Sequence, residues 1–211
     1  MSRTAAMLLA LALLVATASA RAQDPQPMEP CERDARAMAT ALDIDARRTR
    51  VWYWAWMATG TALLAGQGAL ASLAHGDERI EFATGAATSL FIPALLILHP
   101  PNVMGDARLL DARLDASTVD RRLGDPCIAR ERAREIFARD AADEALATGW
   151  IAHSFVIGGN IAVGLLLALA FHDGWGGAKQ AFGGSVVGEL QILTLPAGAL
   201  KARGLGFEGS F

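Results

Sequence analysis

Few residues of this chain could do chemistry, and the most conspicuous is a carboxylate. Glu189 stands inside the apolar stretch 182–200, with Gln191 two residues on. Gln67 lies in the apolar stretch 52–74 and Asn160 in 150–171. An ionisable group among apolar neighbours is costly to solvate and usually faces protein or water. Glu189 is therefore the leading candidate, as a proton carrier or as a hydrogen-bond partner of Asn160. If the apolar stretches run antiparallel, Gln67, Asn160, Glu189 and Gln191 reach comparable depths and can form one intramembrane polar cluster. The plainer reading is hydrogen-bonding glue between helices. Of the four histidines, His153 reads as interfacial and His99, before Pro100-Pro101, as an exit from the apolar stretch. An enzyme acting on a lipid or quinone would need a histidine to meet a carboxylate, and the expected depths keep them apart.

The two cysteines, Cys31 and Cys127, each follow a proline at the start of a charged segment. An even number of cysteines in an exported chain points to one disulfide. A helix N-terminus also lowers a thiol's pKa, so a pair of reactive thiols is the alternative. There is no Cys-x-x-Cys, and no histidine stands beside either cysteine, so zinc-ligand spacing is absent. Nucleophile-elbow, zincin, P-loop and dinucleotide-binding fingerprints are absent as well. Neither a cofactor nor a catalytic residue is expected.

The elements that must position these residues are apolar. Of 211 residues, 53% are hydrophobic, and they are clustered. Residues 1–22 have the basic start, short apolar run and small-residue cleavage sites of a signal peptide. A Pro-rich leader covers 23–30. Trp52–Ala74 and Trp150–Phe171 carry no charge and open with tryptophans, which prefer the headgroup level of a bilayer. Phe82–Leu98 and Phe182–Leu200 are weaker spans, interrupted by Pro93, Glu189 and Pro196. Tight polar turns, 75–79 and 172–177, join them into hairpins.

Sliding the chain by 96 residues aligns Pro30-Cys31 with Pro126-Cys127, Trp54 with Trp150, Gly68 with Gly164 and Pro100 with Pro196, among thirteen identities. A repeat of this kind dictates the architecture. Repeat 1 covers 31–100, with a charged stalk helix (31–50) and spans at 52–74 and 82–98. A connecting segment, 101–125, is given no helix. Repeat 2 covers 126–200, with a stalk (127–148) and spans at 150–171 and 182–200. A tail, 201–211, follows. The stalks are rich in Ala, Arg and Glu, good helix formers, and no proline separates them from the spans. The expected fold is an all-α membrane protein of about four transmembrane helices, as two parallel-repeat hairpins, related by a pseudo-twofold along the membrane normal.

Signal cleavage would put the stalks and C-terminus in the periplasm of a bacterial inner membrane. Arg47, Arg48 and Arg50 flank the first span on that same side, against the positive-inside rule. The net charge of −3 favours no nucleic-acid partner; the partners expected are the lipid bilayer and another envelope protein or a second copy of the chain. The leading functional expectation is non-enzymatic, structural or in assembly. A small transporter or channel subunit using Glu189 is the alternative, and the lipid or quinone enzyme the third.

Overall fold

The computed structural model describes residues 29–119 and 125–196. The signal peptide, nearly all of the Pro-rich leader, and the tail lie outside them. All secondary structure among the described residues is helical: α1 (Pro30–Leu73), α2 (Gly76–Ser89), α3 (Phe91–Leu98), α4 (Val103–Val119), α5 (Pro126–Ala147), α6 (Trp150–Ala170) and α7 (Gly174–Leu193).

Helix α1 is 44 residues long, with Pro30 in its first turn and no proline inside. At 1.5 Å per residue it measures about 66 Å. It merges the first stalk and the first span into one rod. The second stalk and span do not merge. Helix α5 ends at Ala147 with Thr148 as its cap, and Gly149, in an extended conformation, precedes the start of α6 at Trp150. The residues at the corresponding positions of α1 are Trp52 and Tyr53, whereas Gly is a distinctly poorer helix former. A Cβ at Gly149 would lie 2.8 Å from the Ala145 carbonyl oxygen, so the break needs glycine.

The charged half is a three-helix head of α1, α4 and α5. Ala35, Met38, Ala39, Leu42 and Ala46 of α1 face Val103, Ala107, Leu110 and Leu114 of α4, and Ala133 and Ile136 of α5. Their spacing of three and four residues is that of an amphipathic helix stripe. The connecting segment 101–125 therefore holds a helix where none is expected from sequence. Its apolar stripe is only four residues, embedded among Asp106, Arg108, Asp111, Arg113 and Asp115, so composition reads as a polar linker. Cys31 and Cys127 join the first turns of α1 and α5, with Cα atoms 4.9 Å apart. Asp125 caps α5 by accepting from the Cys127 amide at 2.8 Å.

The apolar half is two hairpins. Helices α2 and α3 fold back along α1, and α7 along α6. The connections are shorter than expected: Gly76 and Gly174 already begin α2 and α7. Asp173 closes the second turn by accepting from the Gly176 amide at 2.8 Å. The return helix α7 also ends early, at Leu193. The α2–α3 break at Leu90 has a local cause. Pro93 cannot donate to the Ser89 carbonyl, so the helix is interrupted one turn before it. Gly60 admits the bend, since a Cβ there would sit 2.8 Å from the Pro93 ring.

Two runs, Gly76–Asp115 and Cys127–Ala170, contain stretches long and apolar enough to cross a membrane. Only 22% and 11% of those stretches are buried within the protein. Trp150, Phe155, Leu169 and Phe182 are each at least 74% exposed. The run Trp52–Ala74, diluted by Thr, Gly and Gln67, is not among the two.

The head carries a buried acidic layer at its junction with the hairpins. Asp45, Thr49, Asp106 and Asp140 are all at least 92% buried. Arg139 donates to Asp106, and its Nε is 3.8 Å from Asp140 Oδ1, beyond hydrogen-bond reach. Burial first, and then the neighbouring Asp106, push the Asp140 carboxyl up to about 7. The native state then holds a proton that the unfolded chain releases near pH 4, so stability falls as pH rises from about 4 to about 7. Asp140→Asn should remove that fall, stabilising the protein at pH 8 by about 1–3 kcal/mol and leaving pH 4 unchanged, as read from thermal unfolding in detergent. Cys31→Ser should cost about 2–4 kcal/mol in the same measurement and abolish the mobility difference between reducing and non-reducing gels.

Candidate functional site

Five helices of the apolar half wall a cavity of about 570 Å³. Helices α1, α2 and α3 form one wall and α6 and α7 the other. Most of the lining is aliphatic or aromatic, including Leu63, Phe82, Ile92 and Phe155. A polar strip runs through it: Gln67, Thr88, Ser89, Asn160, Gln180 and Gln191.

Small residues create the space. Helices α6 and α7 approach so closely that a Cβ on Gly164 or Gly177 would run into the other residue's carbonyl oxygen. That contact pins the turn end of the hairpin. Towards the head, Gly184 accommodates the Asn160 side chain and Gly188 the Val156 side chain. At Gly159 and Gly183, both in the lining, a Cβ would meet nothing within 4 Å.

Both ends of the space are bridged by polar contacts between the hairpins. Near the turns, Lys179 Nζ binds both carboxylate oxygens of Glu81, at 2.8 and 2.6 Å. Beside it, Gln180 Nε2 donates to Thr88 Oγ1 at 2.9 Å. Towards the head, Trp52 Nε1 donates to the Gln191 carbonyl at 3.2 Å and Trp56 Nε1 to Thr194 Oγ1 at 3.0 Å. The tryptophans that open the first apolar stretch thus also hold α7 against α1.

Of the four polar residues expected to cluster, three share the cavity and one does not line it. Gln67, Asn160 and Gln191 line it from α1, α6 and α7. Ser89 Oγ donates to Gln67 Oε1 at 3.0 Å, and Asn160 Nδ2 donates to the Val156 carbonyl at 2.8 Å. Glu189 turns instead to His153, with Nδ1 2.6 Å from Oε2. The depths expected from sequence keep these two apart; the structure pairs them. Because α7 begins eight residues earlier than the expected span, at Gly174, and ends at Leu193, Glu189 falls one turn from its C-terminus. In an antiparallel hairpin that level is opposite the first turn of α6, where His153 stands. The second carboxylate oxygen of Glu189 is buried with no hydrogen-bond partner. Glu189 and Asn160 are not hydrogen-bonded to each other.

Sequence reasoning overlooks Gln180, Thr88, Ser89 and the Lys179–Glu81 pair. Gln180, Gly184, Val187 and Gln191 recur at helical spacing, so a face-by-face reading of α7 would have joined Gln180 to Gln191. The partners on α2 carry no such signal, since ordinary hydroxyls in an Ala- and Thr-rich helix look like filler. Among the described residues no group of His, Cys, Asp and Glu could hold a metal ion.

Comparison with known protein families, curated proteins and solved structures finds no match. The reading of this site therefore rests on its own geometry.

The His153–Glu189 contact is the shortest polar link between α6 and α7. A double-mutant cycle with His153→Phe and Glu189→Leu, read from unfolding, should give a coupling energy of about 0.5–2 kcal/mol. A coupling of zero would remove the pair from the account.

Proposed function

We propose that the chain is an integral membrane protein of the bacterial cell envelope with a non-enzymatic role in structure or assembly. Its two hairpins lie in the bilayer, as four spans in two repeats, and its charged head stands on the periplasmic side. The observation that carries this reading is the exposure of the apolar stretches. A core helix of a water-soluble protein hides such residues, whereas here most of each stretch faces outward. Exposed apolar surface on this scale marks a partner or a lipid surface.

Dimensions agree. Helix α6 has 21 residues, about 32 Å, against about 30 Å of hydrocarbon. Trp54 and Trp150, both well exposed, lie at the head end, and exposed Trp175 lies at the turn end. Rings at both levels are what two membrane interfaces favour. The Cys31–Cys127 pair supports an oxidising compartment for the head, in line with the signal sequence. The cysteines are also separated by the repeat offset of 96. A bond between repeat-equivalent residues has to lie on the pseudo-twofold, which supports the repeat. Arginines near the first span oppose this orientation, and the pairing of Arg47 with Asp43 does not alter a rule that counts basic residues alone; the cysteine pair favours it.

The head is the natural surface for a partner: it is charged, rigidly closed by three helices and locked at its tip. A small transporter or channel subunit is the second reading, favoured by the cavity between the hairpins. Reporter fusions test the assignment. Alkaline phosphatase fused at Ser117 should be active and at Gly76 inactive, with fluorescent-protein fusions giving the reverse. Extraction of the native chain by carbonate or high salt without detergent would overturn the membrane reading.

A further inference from the structure

We infer that the cavity between the hairpins is a binding site for one neutral amphiphile, a molecule with an apolar chain or ring and a single hydroxyl, carbonyl or amide head. The inference goes beyond the structural role proposed above. It holds for either orientation of the head, so the two readings fail separately.

The volume, about 570 Å³, falls within the range of sites for small organic ligands, and an apolar wall with a few convergent polar groups is their usual make-up. The polar strip has spare hydrogen-bonding capacity. Gln180 uses its amide nitrogen on Thr88 and leaves its carbonyl oxygen open. Gln67 accepts from Ser89 and leaves its amide nitrogen open. Asn160 donates to Val156 and leaves its carbonyl oxygen open beside Gly184. Gln191 joins its neighbours through its backbone carbonyl only. Donors and acceptors therefore remain together in a space that is otherwise apolar.

Charge selects the class. The charged side chains of the lining, Lys179 and Glu81, neutralise each other through two contacts. Glu189 is directed at His153. A charged head entering here would meet no uncompensated opposite charge and would lose its hydration. A neutral head would exchange water for amides at little cost. A plain hydrocarbon would fill the volume but leave the amides unpaired.

The open positions at Gly159 and Gly183 make the site testable without a clash. The full-length protein is reconstituted in phosphatidylcholine nanodiscs and titrated with radiolabelled oleamide, oleate and octadecane, with empty nanodiscs subtracted. Oleamide should bind saturably at one per chain, and oleate and octadecane at least ten-fold more weakly. Gly183→Leu, which fills the space, should abolish saturable binding while preserving the Cys31–Cys127 bond. Gly159→Leu is the second filling variant should the first fail to fold. Gln180→Leu combined with Gln67→Leu should weaken oleamide about ten-fold and leave octadecane unchanged. Non-saturable uptake, equal binding of all three probes, or full binding by a folded filling variant would each overturn the inference. Equal uptake would instead mean that a phospholipid acyl chain occupies the space.

Discussion

One uninterrupted ladder of backbone hydrogen bonds organises this molecule. Helix α1 runs from the disulfide at the tip of the head to the far turn of the first hairpin without a break. Its first half buries Ala35, Met38, Leu42 and Ala46 against α4 and α5. Its second half supports α2, α3 and the end of α7. Every other helix belongs to one half of the molecule. The orientation of the hairpins relative to the head, and hence the existence of a cavity between them, depends on α1 staying unbroken. Ala and Arg favour that state, and no proline or internal glycine pair opposes it in the head segment.

Much of this architecture was legible in the sequence, because it is written in strong and local signals. Uncharged runs opened by tryptophan, Pro-Cys pairs and Ala/Arg/Glu-rich segments each report on a single helix. They lead to the all-helical fold, the two hairpins and the cysteine pair without any knowledge of contacts. Helix α4 was not legible, since four apolar residues among alternating charges resemble a solvated linker. Only the presence of α1 and α5 makes its stripe worth burying. The helix limits in the hairpins are not legible either. Gly174 and Gly177 look like turn residues, yet Asp173 caps the helix ahead of them and Gly177 is needed for contact with Gly164. That shift moves Glu189 out of the polar cluster and onto His153.

The site was partly legible for a related reason. Gln67, Asn160 and Gln191 are unusual in their apolar surroundings and announce themselves. Their neighbours Thr88, Ser89 and Gln180 matter only through the packing of one hairpin on the other. The chemistry that results is amide chemistry. No member of the strip needs a charge to act, and the two charges nearby satisfy each other. Under the inferred amphiphile site, selectivity would come from donors and acceptors left unpaired in an apolar wall, where an unmet hydrogen bond costs more than it does in water. Glycine has a double part in this. At Gly164 and Gly177 it brings backbones together, and at Gly159 and Gly183 it leaves room.

The two supports that join head to hairpins are mechanically unequal. The first is a stiff mast, and the second is jointed where Gly149 separates α5 from α6. Any bending at that joint carries α6 and α7 together, since the Gly164–Gly177 contact ties them into one hairpin. The contacts across the gap that resist it are polar, Trp52 and Trp56 at one end and the Lys179–Glu81 pair at the other. The width of the gap between the hairpins therefore depends on side-chain bridges across it as well as on the backbone that connects them.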